Sequence, residues 1–191
     1  MFQQHLLRCR LRQLPNLLTL IRLLASPLIA WLLLRSRFQE ALGLVLLAGL
    51  TDWFDGFTAR RLQVSGNVGV ILDPVADKTL LVTLFLVLGV IGLLPPWLVI
   101  LVIGRDLLIA SGALVLRLTR NIRQFIPSRS GKISTFFQIV LVLAVLTHAA
   151  LPDELLLWLR NIALFLSAFF TALSGLDYLR RGIQMANRQP F

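Results

Sequence analysis

The sequence predicts an all-α integral membrane protein with six transmembrane helices, preceded by a short N-terminal amphipathic segment at the membrane interface. Apolar residues make up 57% of the chain and charged ones 15%, with a mean hydropathy of +0.81. A soluble domain of 191 residues could not bury that much apolar surface. The apolar residues also fall into runs of about 20, the length that crosses a hydrocarbon core of ~30 Å. Finally, the 19 basic residues gather at alternate ends of those runs, as the positive-inside rule requires.

Residues 1–14 mix Phe2, Leu6, Leu7 and Leu11 with Arg8, Arg10 and Arg12, which suits a helix lying in the headgroup region. His5 is expected to face solvent there. Pro15 opens the first span, which reaches to about Leu34 and is expected to be a retained helix, since no small-residue cleavage site follows it. Asn16, Thr19 and Arg22 recur at spacings of three on one face of its first turns. Arg22 there either meets an anion or snorkels to the headgroups.

Arg35 to Gln39 make a turn, and a second span runs from about Glu40 to Arg61. Ser65, Gly66 and Asn67 are turn residues that lead to a third span from Gly69 to about Leu94. Pro95 and Pro96 break the chain before a fourth span, which ends near Leu118 and is interrupted by Arg105 and Asp106. A basic loop, 119–131, precedes a fifth span from Lys132 to Ala149, and a sixth runs from Glu154 to Tyr178. The whole chain, 1–191, reads as one membrane-embedded domain with a six-helix bundle over 15–180 and a cytosolic tail over 181–191.

Thirteen of the 19 basic residues lie on the side that holds both termini, so the expected location is the cytoplasmic membrane with both termini cytosolic. A net charge of +10 then reflects topology and anionic headgroups, and no nucleic acid partner is expected. The single cysteine, Cys9, excludes a disulfide framework.

Asp52, Asp55, Asp73 and Asp77 are four of only nine acidic residues, set in otherwise apolar spans. Ionisable groups at membrane depth are costly and mark functional sites. Spacings of three and four put each pair on one face of its helix, and the short connection allows the two pairs to converge. Converging carboxylates cannot all stay ionised without compensating charge, and an all-oxygen donor set points to hard divalent cations such as Mg²⁺, Mn²⁺ or Ca²⁺. Gly56, Ala59, Gly66 and Gly69 leave space for a ligand beside them or allow close helix packing, two uses that demand the same residues. Arg60 and Lys78 flank the cluster, where they could bind phosphate or pair with the aspartates.

The pattern Asp52-x2-Asp55-Gly56-x2-Ala59-Arg60-x8-Gly69-x3-Asp73-x3-Asp77 resembles the full signature of the CDP-alcohol phosphatidyltransferase family. Pro15-Asn16-x2-Thr19-x2-Arg22 and Gly131-Lys132-x2-Thr135-x2-Gln138 extend the resemblance over most of the chain. It implies transfer of the phosphatidyl group from CDP-diacylglycerol to an alcohol, with release of CMP. It further implies two metal ions, Mg²⁺ or Mn²⁺, held by Asp52, Asp55, Asp73 and Asp77, with Asp77 also deprotonating the attacking hydroxyl. Gly56, Ala59 and Gly69 would line the cytidine and diphosphate pocket, and Arg60, Asn16, Thr19 and Arg22 would join in holding the CDP-lipid. A homodimer is implied as well.

The acceptor is expected to meet Arg105, Arg117, Arg120, Arg123 and Lys132, which cluster with Arg129 at the cytosolic end of the fourth and fifth spans. A free phosphate suits that basic loop, so glycerol 3-phosphate is the first expectation, giving phosphatidylglycerophosphate. The Arg105-Asp106 pair resembles instead the cardiolipin synthases of the same family, whose acceptor is phosphatidylglycerol. A cation- or proton-coupled transporter is the alternative of another class, but transporters place such carboxylates near the midplane, often with inverted repeats. Here the carboxylates crowd one end and no repeat relates the halves.

Overall fold

Long runs of Leu, Val, Ile, Ala and Phe favour the α-helix, which satisfies every interior backbone group within one segment. The computed structural model describes residues 24–62, 69–120 and 129–187, with side chains described over 24–51, 78–112 and 130–182 and at Gln184. Among the described residues there are six helices and no strand. They are α1 (Leu24–Leu34), α2 (Phe38–Leu62), α3 (Gly69–Val90), α4 (Pro96–Arg120), α5 (Arg129–Ala150) and α6 (Glu154–Asn187). The chain divides into two compact units, Met1–Ile91 and Gly92–Phe191.

In the first unit, α1 ends in a Schellman motif. Arg37 N–H donates to Leu32 O at 2.9 Å and Ser36 N–H to Leu33 O at 3.0 Å, while Ser36 takes the left-handed conformation at φ 58°. That turn links α1 to α2 through three residues, and the exposed Arg37–Glu40 pair decorates the start of α2. Ile29, Leu33, Ala41, Leu84, Phe85 and Leu88 are buried, as is the polar Ser26. In α2, Thr51 Oγ1 donates to Leu47 O and Ala48 O, both at 2.9 Å, so this hydroxyl is satisfied by its own helix.

Helix α3 stops at Val90, four residues short of the expected Leu94. Gly92, at φ 77°, occupies the left-handed position just past the helix end that glycine fills without steric cost. Pro95 caps α4 through its carbonyl, which receives Leu98 N–H at 3.0 Å, and Pro96 takes the first helical position.

In the second unit, α6 packs against both α4 and α5. Asp153 caps α6, its carboxylate receiving Leu155 N–H at 3.0 Å. Arg160 Nη2 donates to Leu93 O at 2.9 Å and ties α6 to the segment before α4. The interior changes character along the helices. Towards the α5–α6 turn, α5 buries Leu141, Val142, Val145 and Leu146; towards its N-terminus it buries Ser134 and Gln138. The facing stripe of α6 is Ala163, Ser167, Thr171, Ser174 and Tyr178, at helical spacing.

The outward surface is the reverse. Ile100, Leu107, Phe136, Trp158, Ile162, Phe165 and Phe169 are exposed. Phe137 and Phe170 stack at 4.5 Å between α5 and α6, with Phe136 and Phe169 set edge-on to them.

Two helices, Ser130–Ala150 and Glu154–Gly182, are long and apolar enough to cross a membrane, and the apolar stretches Leu24–Leu34, Phe38–Thr51 and Lys78–Val90 are shorter among the described residues. The sixth helix exceeds its expected end at Tyr178, running on to Asn187. The ion pair of Asp177 and Arg181, one turn apart at 3.0 Å, bridges that expected end.

Candidate active site

The four aspartates fall inside two continuous helices. Asp52 and Asp55 lie in the last three turns of α2, and Asp73 and Asp77 in the first turns of α3. The backbone thus keeps each pair on one helical face, with the connection 63–68 and the side chains of 52–77 outside the described residues. Gly56, Ala59 and Arg60 follow on α2, and Gly69 is the first residue of α3. Lys78 is exposed on α3 directly after Asp77. The candidate residues on these helix segments are all carboxylates, a residue type that suits hard divalent ions rather than the sulfur and imidazole ligation that zinc favours. Among residues whose side chains are described, no group of three or more His, Cys, Asp or Glu gathers.

Asn16, Thr19, Arg22 and Arg123 lie outside the described residues. Arg117 and Arg120 occupy the last turn of α4, with their side chains likewise outside. Lys132 is exposed in the first turn of α5. The basic loop of the sequence reading is correspondingly shorter at both ends, since α4 continues to Arg120 and α5 begins at Arg129.

Arg105 is the best defined of the candidate residues. It is only 6% exposed and lies against α6. Its Nε and Nη2 both donate to Ser174 Oγ, at 3.1 and 2.7 Å, and Nη1 donates to Asp106 Oδ1 at 2.6 Å. Its stem passes over Gly175, where an added Cβ would lie 3.9 Å from Arg105 Cγ, and the Tyr178 ring centroid lies 5.7 Å from its Cζ. Pairing with Asp106 and engagement by α6 therefore hold together, and the guanidinium is fixed in one orientation.

A second set of bonds holds the start of α5. Ser130 Oγ donates to Asp177 Oδ2 at 2.6 Å, and Arg181 Nε donates to Asp177 Oδ1 at 3.0 Å. Deeper in the seam, Gln138 Nε2 donates to Thr171 Oγ1 at 3.1 Å, and Ser134 Oγ lies 3.1 Å from the same hydroxyl. The sequence reading singled out Gln138 but missed Ser130, Ser134, Thr171, Ser174 and Asp177. The available signal was Ser167, Thr171, Ser174 and Tyr178 recurring every three or four residues through an apolar helix, a polar stripe that lipid would not tolerate.

Compared with known proteins, residues 12–173 match the family model described as CDP-alcohol phosphatidyltransferase. The chain belongs to the CDP-alcohol phosphatidyltransferase family. The matched region takes in the four aspartates, Arg105, Lys132 and α6 as far as Leu173, so Ser174 and Asp177 lie just beyond it.

Named relatives within the family include a CDP-diacylglycerol--glycerol-3-phosphate 3-phosphatidyltransferase of Aquifex aeolicus, 36% identical over 90% of this chain and 96% of its own length. The Bacillus subtilis protein of the same name is 38% identical over 72% of this chain and 70% of its own. A cardiolipin synthase (CMP-forming) of Rattus norvegicus is 32% identical over 88% of this chain, which spans 61% of the rat protein. A Schizosaccharomyces pombe fusion of a cardiolipin synthase with a mitochondrial hydrolase is 37% identical, and this chain spans 28% of it.

Proposed function

We propose that the protein transfers the phosphatidyl group from CDP-diacylglycerol to glycerol 3-phosphate within the cytoplasmic membrane, releasing CMP and forming phosphatidylglycerophosphate. The observation that carries this reading is the placement of two carboxylate pairs at consecutive helix ends, inside a chain of this family. Six spans with cytosolic termini put those ends where a CDP-lipid headgroup and a soluble acceptor meet. The inverted polarity of the second unit supports the bilayer: Arg105, Ser134, Gln138, Thr171 and Ser174 are inside, and large apolar side chains are outside.

Asp52, Asp55, Asp73 and Asp77 would hold two Mg²⁺ or Mn²⁺ ions, which when bound neutralise the diphosphate and polarise the phosphorus under attack. Asp77 takes the proton from the acceptor hydroxyl as its oxygen bonds to the phosphorus that carries the diacylglycerol. The bond from that phosphorus to the CMP oxygen breaks, and CMP leaves with the bonding pair. Gly56, Ala59 and Gly69 keep space for the nucleotide and diphosphate, while Arg60, Asn16, Thr19 and Arg22 complete the CDP-lipid pocket. Arg105 and Lys132, with Arg117, Arg120 and Arg123, receive the acceptor phosphate. A homodimer is part of this reading.

The second reading, a cardiolipin synthase using phosphatidylglycerol, is favoured by the Arg105–Asp106 ion pair, the form resembling that subfamily. One experiment separates the two. Purified protein is given CDP-diacylglycerol with glycerol 3-phosphate or with phosphatidylglycerol, with and without excess chelator, and CMP release is followed. Release that depends on both glycerol 3-phosphate and a divalent ion is expected. Release with phosphatidylglycerol alone would overturn the acceptor, and undiminished release in chelator would overturn the two-metal site.

A further inference from the structure

We infer that Ser174 and Asp177 of α6 are positioning residues of the acceptor pocket, holding the phosphate-binding groups of α4 and α5 in place without touching the substrate. The inference rests on the proposed role of Arg105 and Lys132 and extends it to a helix that carries none of the resemblance motifs. Ser174 Oγ accepts from two nitrogens of the Arg105 guanidinium, at 3.1 and 2.7 Å, with Asp106 on a third and the Tyr178 ring alongside. Those contacts fix the plane of the fork, and the remaining N–H groups are the ones an anionic acceptor would take. Asp177, three residues on, accepts from Ser130 Oγ at 2.6 Å, two residues before Lys132. One face of α6 therefore holds Arg105 directly and, through Ser130, the helical turn that carries Lys132.

Packing alone does not call for this arrangement. The same two helices bury Leu141, Val142, Val145 and Leu146 towards the α5–α6 turn, so an apolar seam is available to this fold. Replacing a buried ion pair by apolar residues is commonly neutral or stabilising. Here the polar residues concentrate instead at the end that bears Lys132 and the start of α5. A guanidinium aimed by bonds on three of its nitrogens loses little rotamer freedom when the ligand arrives, which is how supporting contacts raise affinity.

The test uses the full-length enzyme in detergent or nanodiscs. CMP release is measured with each substrate varied in turn, for the wild type and for Ser174→Ala, Ser174→Thr, Asp177→Asn, Thr171→Val and Arg105→Ala. Ser174→Ala and Asp177→Asn are expected to raise the acceptor KM about tenfold, with kcat and the CDP-diacylglycerol KM within about twofold. Ser174→Thr, which keeps the hydroxyl, should restore most of the acceptor affinity. Thr171→Val, which removes the hydroxyl that Gln138 and Ser134 share deeper in the same seam, should lower the melting temperature without the KM split.

If Arg105→Ala raises the acceptor KM while Ser174→Ala and Asp177→Asn do not, the positioning role falls and the proposed acceptor site stands. If Arg105→Ala also leaves the acceptor KM unchanged, both fall. An equal KM rise in Thr171→Val would mark general loosening of the α5–α6 seam and overturn the inference. Repeating the series with phosphatidylglycerol separates acceptor from mechanism, since a split seen only there keeps the positioning role and overturns glycerol 3-phosphate.

Discussion

In the proposed reaction the chemistry turns on Asp77, because it would both bind a metal and take the acceptor proton. Asp77→Asn keeps an oxygen donor but removes the basic site, so turnover is expected to fall by about 10²–10⁴-fold while CDP-diacylglycerol binding is retained. Single-turnover CMP release beside equilibrium binding of the CDP-lipid checks this, and near-normal turnover would remove Asp77 from the base role. At this scale the carboxylates stood out as candidates because charge is rare in the chain: four of its nine acidic residues lie in the apolar stretch 52–77. Arg105 was legible for the same reason. Ser174 and Asp177 were not, since a serine inside an apolar helix bonds its own backbone as readily as a neighbour, as Thr51 does. Only the facing of α4 and α6 reveals that Ser174 is spent on Arg105.

The helices themselves could be read from hydropathy, whereas their ends followed from local turn chemistry that a count of apolar residues does not contain. Leu93 and Leu94 continue an apolar run, yet α3 ends at Val90 because Gly92 reverses the backbone at φ 77°. The α1–α2 turn makes the same reversal with Ser36 at φ 58°, where a side chain is disfavoured. The two positions therefore predict mutational effects of opposite sign. Gly92→Ala should destabilise the protein by about 1 kcal/mol, and Ser36→Gly should stabilise it by a similar or smaller amount. No described atom lies within 4 Å of a Cβ placed on Gly92, so the cost there is conformational rather than steric crowding by neighbours. Thermal unfolding of both variants in one detergent is the measurement, and a shift of the same sign in both would contradict the left-handed assignments.

For the molecule as a whole, the proposed topology ties the proposed site to its substrates, because in a six-span arrangement the carboxylate ends of α2 and α3 would face the cytosol only if the N-terminus did. By the positive-inside rule, the proposed topology puts the segment with Arg8, Arg10 and Arg12 on the cytosolic side and the turn with Arg35 and Arg37 opposite. The sequence supplies its own probe, since Cys9 is the single cysteine and sits among those first arginines. In right-side-out vesicles a membrane-impermeant maleimide should leave Cys9 unlabelled until the membrane is opened. A Cys9→Ser, Ser36→Cys chain should show the converse, since the proposed topology puts the Ser36 turn at the other membrane face. Labelling of Cys9 in sealed vesicles together with protection of position 36 would invert the topology and strand the four aspartates away from a cytosolic acceptor. Protection of Cys9 and exposure of position 36 would fix the orientation that the transfer reaction requires.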